Sequence, residues 1–398
     1  MTSPVPTTSW GSPPRYRSLL AFLASMITAG PITVSPPPHG PEVLAQAKPD
    51  PPRDSEEAAD SDEVLFPLRT AWRADLAEPV VAPAGVDAAR AYVPLQSGAL
   101  AAVSLTDGKV VWKASHPTTL TPFSNGSLVF IAGKDSVEGV TAANGVTRWQ
   151  TPIPGELAAP MVERAGWLIV PLASGDLLAL RSADGKVVWR AAFGAAAASQ
   201  PAIDGEHVYL PLDDARVVAA DIFSGDVVWT RTLGGPVVGM FIYAELIYVS
   251  STDNYLYCLD DRKGEIDWRW RTGADLVGRA DALGARVVFV SLDTVLRAHD
   301  WLNGAQRWRT PLPWRPHFGP QIVGTTVVMS GLVPEVRGFS LDNGKEVGHL
   351  TFASSDVEKL QGPVITVPPT RSGGTRFVAV SEEGKVYGLA PETPDAAQ

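Results

Sequence analysis

Seven tryptophans divide this chain into units of nearly constant length. Trp72, Trp112, Trp149, Trp189, Trp229, Trp268 and Trp308 are separated by 40, 37, 40, 40, 39 and 40 residues, and Gly348 stands 40 beyond the last. A period near 40 with strand-like patterning is the signature of a propeller, whose units are too small to fold alone. Length therefore does not translate into two or three independent domains, as 398 residues otherwise suggest.

Aligned on the Trp, the units share further positions. A glycine lies four residues earlier, at Gly108, Gly145, Gly185, Gly225, Gly264, Gly304 and Gly344, in D-G, N-G or S-G pairs except for Lys263-Gly264. Such pairs supply the positive φ that tight hairpins demand. Ten residues before the Trp position stands a small residue, at Ala102, Gly139, Ala179, Ala219, Cys258, Ala298 and Gly338. The expectation is that it makes room for a ring from a neighbouring unit. Apolar β-rich runs such as 207–212 and 286–290 precede it, and a weaker strand follows the Trp strand. Each unit reads as four antiparallel strands.

The ends set the blade number. Residues 376–390 supply two middle strands with Gly388 at the small position, but no Trp strand follows. The orphan Trp strand, 66–74, lies at the other end. Pairing the two closes the ring and removes both exposed edges. The expected fold is all-β: an eight-bladed β-propeller over 66–391, closed by the N-terminal strand in the last blade, with 392–398 a disordered tail.

Ahead of the ring, Arg15 and Arg17 flank a short apolar run, 18–29, stopped by Gly30-Pro31. That is the pattern of a secretory signal peptide, and the run is short for a membrane span. Residues 1–30 are read as a signal peptide or N-terminal anchor, with Ala45-Gln46-Ala47 a distant cleavage sequence; the competing reading is an Ala/Pro-rich leader without that role. Residues 31–65 form a Pro-rich acidic linker, with seven acids against two bases in 48–63, half of the net charge of −10. The remainder carries no Lys/Arg cluster that would track phosphates, so nucleic acid is not an expected partner. Cys258 is the only cysteine, which excludes an internal disulfide and a multi-cysteine metal site. Six histidines fall in no zinc-binding spacing.

The unit in Ala219-x-Asp221-x₃-Gly225-x₃-Trp229 and Ala298-x-Asp300-x₃-Gly304-x₃-Trp308 resembles the tryptophan-docking motif of the PQQ-repeat (quinoprotein alcohol dehydrogenase-like) family, and the resemblance covers 66–391. It implies a structural, blade-docking role for the seven tryptophans. One branch of that family is the quinoprotein dehydrogenases, which hold the quinone with Ca²⁺ on Glu, Asn and Asp ligands, often beneath a disulfide of adjacent cysteines that this chain lacks. Acid-bearing sites such as 251–254 and Asp260-Asp261 recur in every unit and read as turns. The other branch is the non-catalytic scaffold exemplified by BamB, the outer-membrane assembly factor. Likeness to it implies a periplasmic or otherwise extracytoplasmic, monomeric propeller that binds protein partners of the cell envelope, with no catalytic residue, cofactor or metal. This chain departs in lacking a lipobox cysteine. Without a retained leader the mature form has no transmembrane segment. A third reading, a sensor or structural propeller for peptides or cell-wall material, stays open.

Two segments break the repeat. In 311–318, Trp314, Arg315, His317 and Phe318 sit in a Pro-stiffened loop; Trp and Arg are hot-spot types at interfaces, and the bland reading packs Trp314 and Phe318 on the blade edge. The connector 354–374 reads as a mobile loop. Trp270 shares a strand face with Trp268 and is expected to extend its contact.

Overall fold

In a computed structural model, the described residues are 65–353, 357, 359–368 and 374–392. The leader, most of the acidic linker, part of the 354–374 connector and nearly all of the tail lie outside them.

The described chain builds eight four-stranded antiparallel sheets arranged as blades, with no helix among them. Blade 4 is representative: an inner strand Ala202–Asp204, middle strands His207–Pro211 and Arg216–Asp221, and an outer strand Val227–Thr232. Blade 1 spans 85–115, blade 2 123–152, blade 3 162–192, blade 5 237–271, blade 6 281–311 and blade 7 321–351. Blade 8 takes Ile365–Thr366, Phe377–Val380 and Lys385–Pro391 from one end of the chain and Leu68–Asp75 from the other. The ring is closed by antiparallel pairing from Leu68↔Pro391 to Asp75↔Lys385. The weak strand after each Trp strand opens the next blade and does not complete its own.

Burial explains the strand sequences. Middle strands face a neighbouring blade on both sides, so they read as continuous apolar runs, such as the wholly buried Val208–Leu210 and Val217–Ala220. Outer strands alternate, with the Trp position turned inward between exposed neighbours. The core among the described residues is divided into eight apolar clusters, one at each junction between blades. Burying those clusters is what holds the ring together.

Candidate functional site

Each blade junction repeats one lock. In every blade from 1 to 7 the turn between the third and fourth strands carries its glycine at φ between 65° and 79°, a region that a side chain rarely adopts. The indole of the preceding blade lies flat on that glycine. A methyl group at Gly108 would come within 2.5 Å of Trp72, and one at Gly225 within 2.8 Å of Trp189. The indole N–H then donates to a carbonyl three residues before the glycine. The acceptors are Leu105 for Trp72 (2.8 Å), Ala142 for Trp112 (2.9 Å), Ser182 for Trp149 (3.1 Å) and Ile222 for Trp189 (2.7 Å). Asp261, Trp301 and Leu341 accept from Trp229, Trp268 and Trp308 at 2.8, 3.2 and 2.7 Å. A large apolar ring with one polar handle suits an apolar junction that offers a backbone carbonyl to its N–H.

The small residue ten positions earlier has a different role from the one expected of it. It pairs across the sheet with the Trp of its own blade, as in Ala102↔Trp112 and Ala219↔Trp229, and a bulge follows it. The neighbour's ring rests on the turn glycine instead. The bulge supplies the extra residue that lets a turn glycine four positions from the Trp coexist with a partner ten positions away.

Seven locks serve eight junctions because blade 8 has no turn between its third and fourth strands, which come from opposite ends of the chain. A tryptophan in blade 7 would have no glycine turn to meet, and Gly348 stands in its place. Phe66, just ahead of the closing strand, fills the vacancy: its ring packs on Gly338, and its Cβ stands 2.8 Å from where a Gly348 methyl would be. Phe66 is only 5% exposed. Sequence reasoning missed this residue; its one signal was a gap in the Trp series next to an aromatic preceding the orphan strand.

Around the axis, inner strands of blades 3 to 6 line a cavity of about 620 Å³ that contains Glu163, Arg164, Asp204, Arg279 and Asp281. Its polar groups tie blades together. Arg164 donates to the Ile203 carbonyl (2.7 Å) and to Asp204 (3.0 Å), and Gln200 donates to the Met161 carbonyl (2.7 Å). The carboxylate of Asp281 accepts from the amides of Ile322 and Ala282, while burial raises its pKa against those donors. No three His, Cys, Asp or Glu side chains among the described residues are grouped to hold a metal ion. With the channel acids committed to Arg164 and to backbone amides, this donor set does not fit a calcium-bound quinone. The turn acids also cap local structure: Asp260 accepts from the amides of Arg262 and Lys263, and Asp253 from the amide of Tyr255 and from the Tyr257 hydroxyl.

The 311–318 loop connects blades 6 and 7. Trp314 is half-buried against the apolar cluster of that junction, with its indole N–H buried and no hydrogen-bond partner. Phe318 is half-buried, Pro316 is buried, and Arg315 and His317 are exposed, the His317 ring lying 3.0 Å from the Arg315 carbonyl. The loop thus presents a cation and an imidazole beside two partly covered rings. Trp270 meets His299 of the next blade edge-on, with ring centroids 4.5 Å apart.

The sequence comparisons with known proteins point to one family. The sequence model of the family described as outer membrane protein assembly factor BamB matches residues 69–269 and 231–394. The protein of that description from Burkholderia pseudomallei is 23% identical over 339 residues, covering 72% of this chain and 88% of its own length. The crystal structure of BamB from Moraxella catarrhalis superposes with a TM-score of 0.68 at 18% identity, covering 81% of this chain and 99% of that one. Quinohemoprotein alcohol dehydrogenase from Comamonas testosteroni reaches a TM-score of 0.65 at 11% identity, covering 83% of this chain and 78% of its own, a likeness of fold alone.

Proposed function

We propose, from the premise that the chain belongs to the PQQ-repeat propeller family described as outer membrane protein assembly factor BamB, that it is a non-catalytic scaffold of the bacterial cell envelope. It docks protein partners in the assembly of outer-membrane proteins. The supporting observation is that the family match runs over the whole ring, from 69 to 394, with an axial donor set ill-suited to the quinone chemistry of the other branch. The leader read in 1–30 supports an extracytoplasmic location, and the proposed state is a monomeric ring. Its work is then shape: eight junctions stiffen a frame whose loops are held in fixed relative positions, which lowers the ordering cost of binding.

The 311–318 loop is the proposed contact, through Trp314, Arg315, His317 and Phe318. Affinity capture from envelope extracts tests it, with the unaltered chain compared against Trp314→Ala plus Phe318→Ala. Outer-membrane assembly proteins recovered by the former and lost from the latter support the reading; equal recovery removes the loop. Quinone- and calcium-dependent oxidation of alcohols by the purified chain would overturn the non-catalytic reading as a whole.

A further inference from the structure

The shortest interval in the tryptophan series, 37 residues between Trp112 and Trp149, leaves a feature on the ring that no other blade shows. In blades 1, 3, 4, 6 and 8 the connector entering the blade lays one residue against the tip between the second and third strands, as an isolated antiparallel bridge. The pairs are Val80↔Leu95, Leu157↔Leu172, Ala197↔Leu212, Leu276↔Ser291 and Leu360↔Ser381. Two backbone hydrogen bonds flank each bridge. In blade 3 the Ala158 amide donates to the Pro171 carbonyl and the Ala173 amide to the Glu156 carbonyl, both at 2.9 Å; in blade 6 the Val277 and Leu292 amides donate to Val290 and Asp275 at 3.1 and 2.9 Å. Blade 5 replaces the bridge with a long inner strand, Val237–Tyr243, and blade 7 has Pro316 at the bridging position, buried.

Blade 2 has neither. Its connector is 116–122, seven residues where the connectors into blades 1, 3, 4, 6 and 7 have nine, and its tip is one residue shorter. Together these account for the missing three residues of the interval. The seven-residue connector makes no bridge to the tip: Leu120 packs on the apolar cluster that includes Ala132, but among the described residues no backbone hydrogen bond joins 117–122 to Ala132 or Lys134. A groove of about 450 Å³ lies there instead. It is lined by the apolar Val81, Leu95, Leu120 and Leu157, by the polar Gln96, Thr118 and Thr119, and by the exposed Lys134 and Glu156. Lys134 is exposed and has no ion-pair partner among the described residues.

We infer that this groove is a docking site for an extended segment of a partner protein, which supplies the bridge that blade 2 does not make for itself. The occupant is defined by the other blades. It is a short β-like stretch with an aliphatic residue, Leu above all, at the bridging position. Its following amide meets the Ala132 carbonyl and its preceding carbonyl meets the Lys134 amide. In blades 3 and 6 the residue before the bridging Leu is an acid, Glu156 and Asp275; at blade 2 that carboxylate would face the free ammonium of Lys134. The scaffold reading above is used only to name who provides the segment.

A synthetic peptide copying residues 272–279, TGADLVGR, is the probe, titrated into the full chain and followed by the NMR signals of blade 2. Binding localised to 132–134 is expected. It should weaken by about tenfold or more for the peptide carrying Leu276→Asp, which puts a charge against the groove's leucines, and for Val277→Pro, which removes the donor amide. Two alanines inserted between Thr119 and Leu120 restore the nine-residue connector, let the chain cover its own tip, and should abolish binding while leaving the melting temperature unchanged or raised. Lys134→Glu should favour the peptide with Asp275→Lys over the original. No shift at 132–134 with millimolar peptide, or equal binding by the insertion variant, would overturn the inference. Either result leaves the scaffold reading standing, whereas a failed envelope capture with intact peptide binding leaves the groove and removes the scaffold.

Discussion

Replacing Phe66 tests how the eighth junction is closed. Phe66→Ala removes a ring that is 5% exposed and packed on two glycines. Its ring packs on Gly338 and Gly348, which have no side chains to fill the hole, within a cluster that also holds Leu68, Val336 and Phe352, so the cost should sit in the usual range for deleting a buried phenyl, about 3–5 kcal/mol. Gly348→Trp restores the periodic residue but drives it into the ring, since even a Cβ would lie 2.8 Å from that of Phe66; overpacking of this kind costs about 1–3 kcal/mol. Combined, the two changes relieve one another. The indole enters the space above Gly338, as Trp149 does above Gly139 in blade 2. The double variant should then be more stable than Phe66→Ala alone by roughly 1–2 kcal/mol, a coupling of the size seen between residues in contact. Recovery stays incomplete because blade 8 has no turn carbonyl for the indole N–H. Urea unfolding of the four proteins, followed by circular dichroism, reads the cycle. If the double variant loses the sum of the single losses, within about 0.5 kcal/mol, Phe66 does not occupy the missing tryptophan's place.

Three further outcomes follow from the same contacts. His299 is fully buried, and burial holds its pKa down at about 4 despite the hydrogen bond to the Gly304 carbonyl. The unfolded chain therefore takes up the proton first, and stability present above about pH 6.5 drains away as pH falls toward 4, by about 3 kcal/mol in all and about 2 kcal/mol by pH 5; His299→Leu should lose that dependence, and urea midpoints at pH 7 and 5 for both proteins check it. Deleting 66–75 should lower the melting temperature and promote self-association, because Lys385–Pro391 becomes an open edge; an unchanged melt contradicts the closure. Trp308→Phe keeps the ring but leaves the Leu341 carbonyl without its 2.7 Å donor, at a cost of about 1–3 kcal/mol by denaturant titration, and a loss under about 0.5 kcal/mol would show that the N–H adds nothing to the lock.

The blade count, the closing strand and the seven tryptophans were legible because each unit states its needs locally: a glycine for the turn, a small residue beneath the ring, an apolar run for each middle strand. What the period could not carry was anything shared between distant units. Phe66 and Gly348 meet only because the ring closes, and a single aromatic has no repeat to reveal it. Spacing alone points the small residue at the neighbour's ring, because the bulge after Ala219 and its counterparts shifts the register by one without changing the period. The axial wall was obscure for a simpler reason: most inner strands are two or three residues long, too short to show alternation. Trp314 was visible as an interruption, yet its partial burial depends on the apolar cluster of the blade 6–7 junction.

Closure by strands from both ends also sets the order of events in synthesis. Trp72 meets Thr375 across 303 residues of sequence. Bringing such ends together costs an unstructured chain about 5 kcal/mol in loop entropy, so the contact forms cheaply only after the intervening blades have stacked. Leu68–Asp75, the first of the described strands to be synthesised, is thus among the last to find its partner. Until 385–391 emerges, its hydrogen-bonding edge has no partner, although Trp72 can already rest on Gly108 of blade 1 and Phe66 on Gly338 and Gly348 of blade 7. A nascent chain of this design needs an escort for its amino-terminal strand, or must delay folding until synthesis is complete.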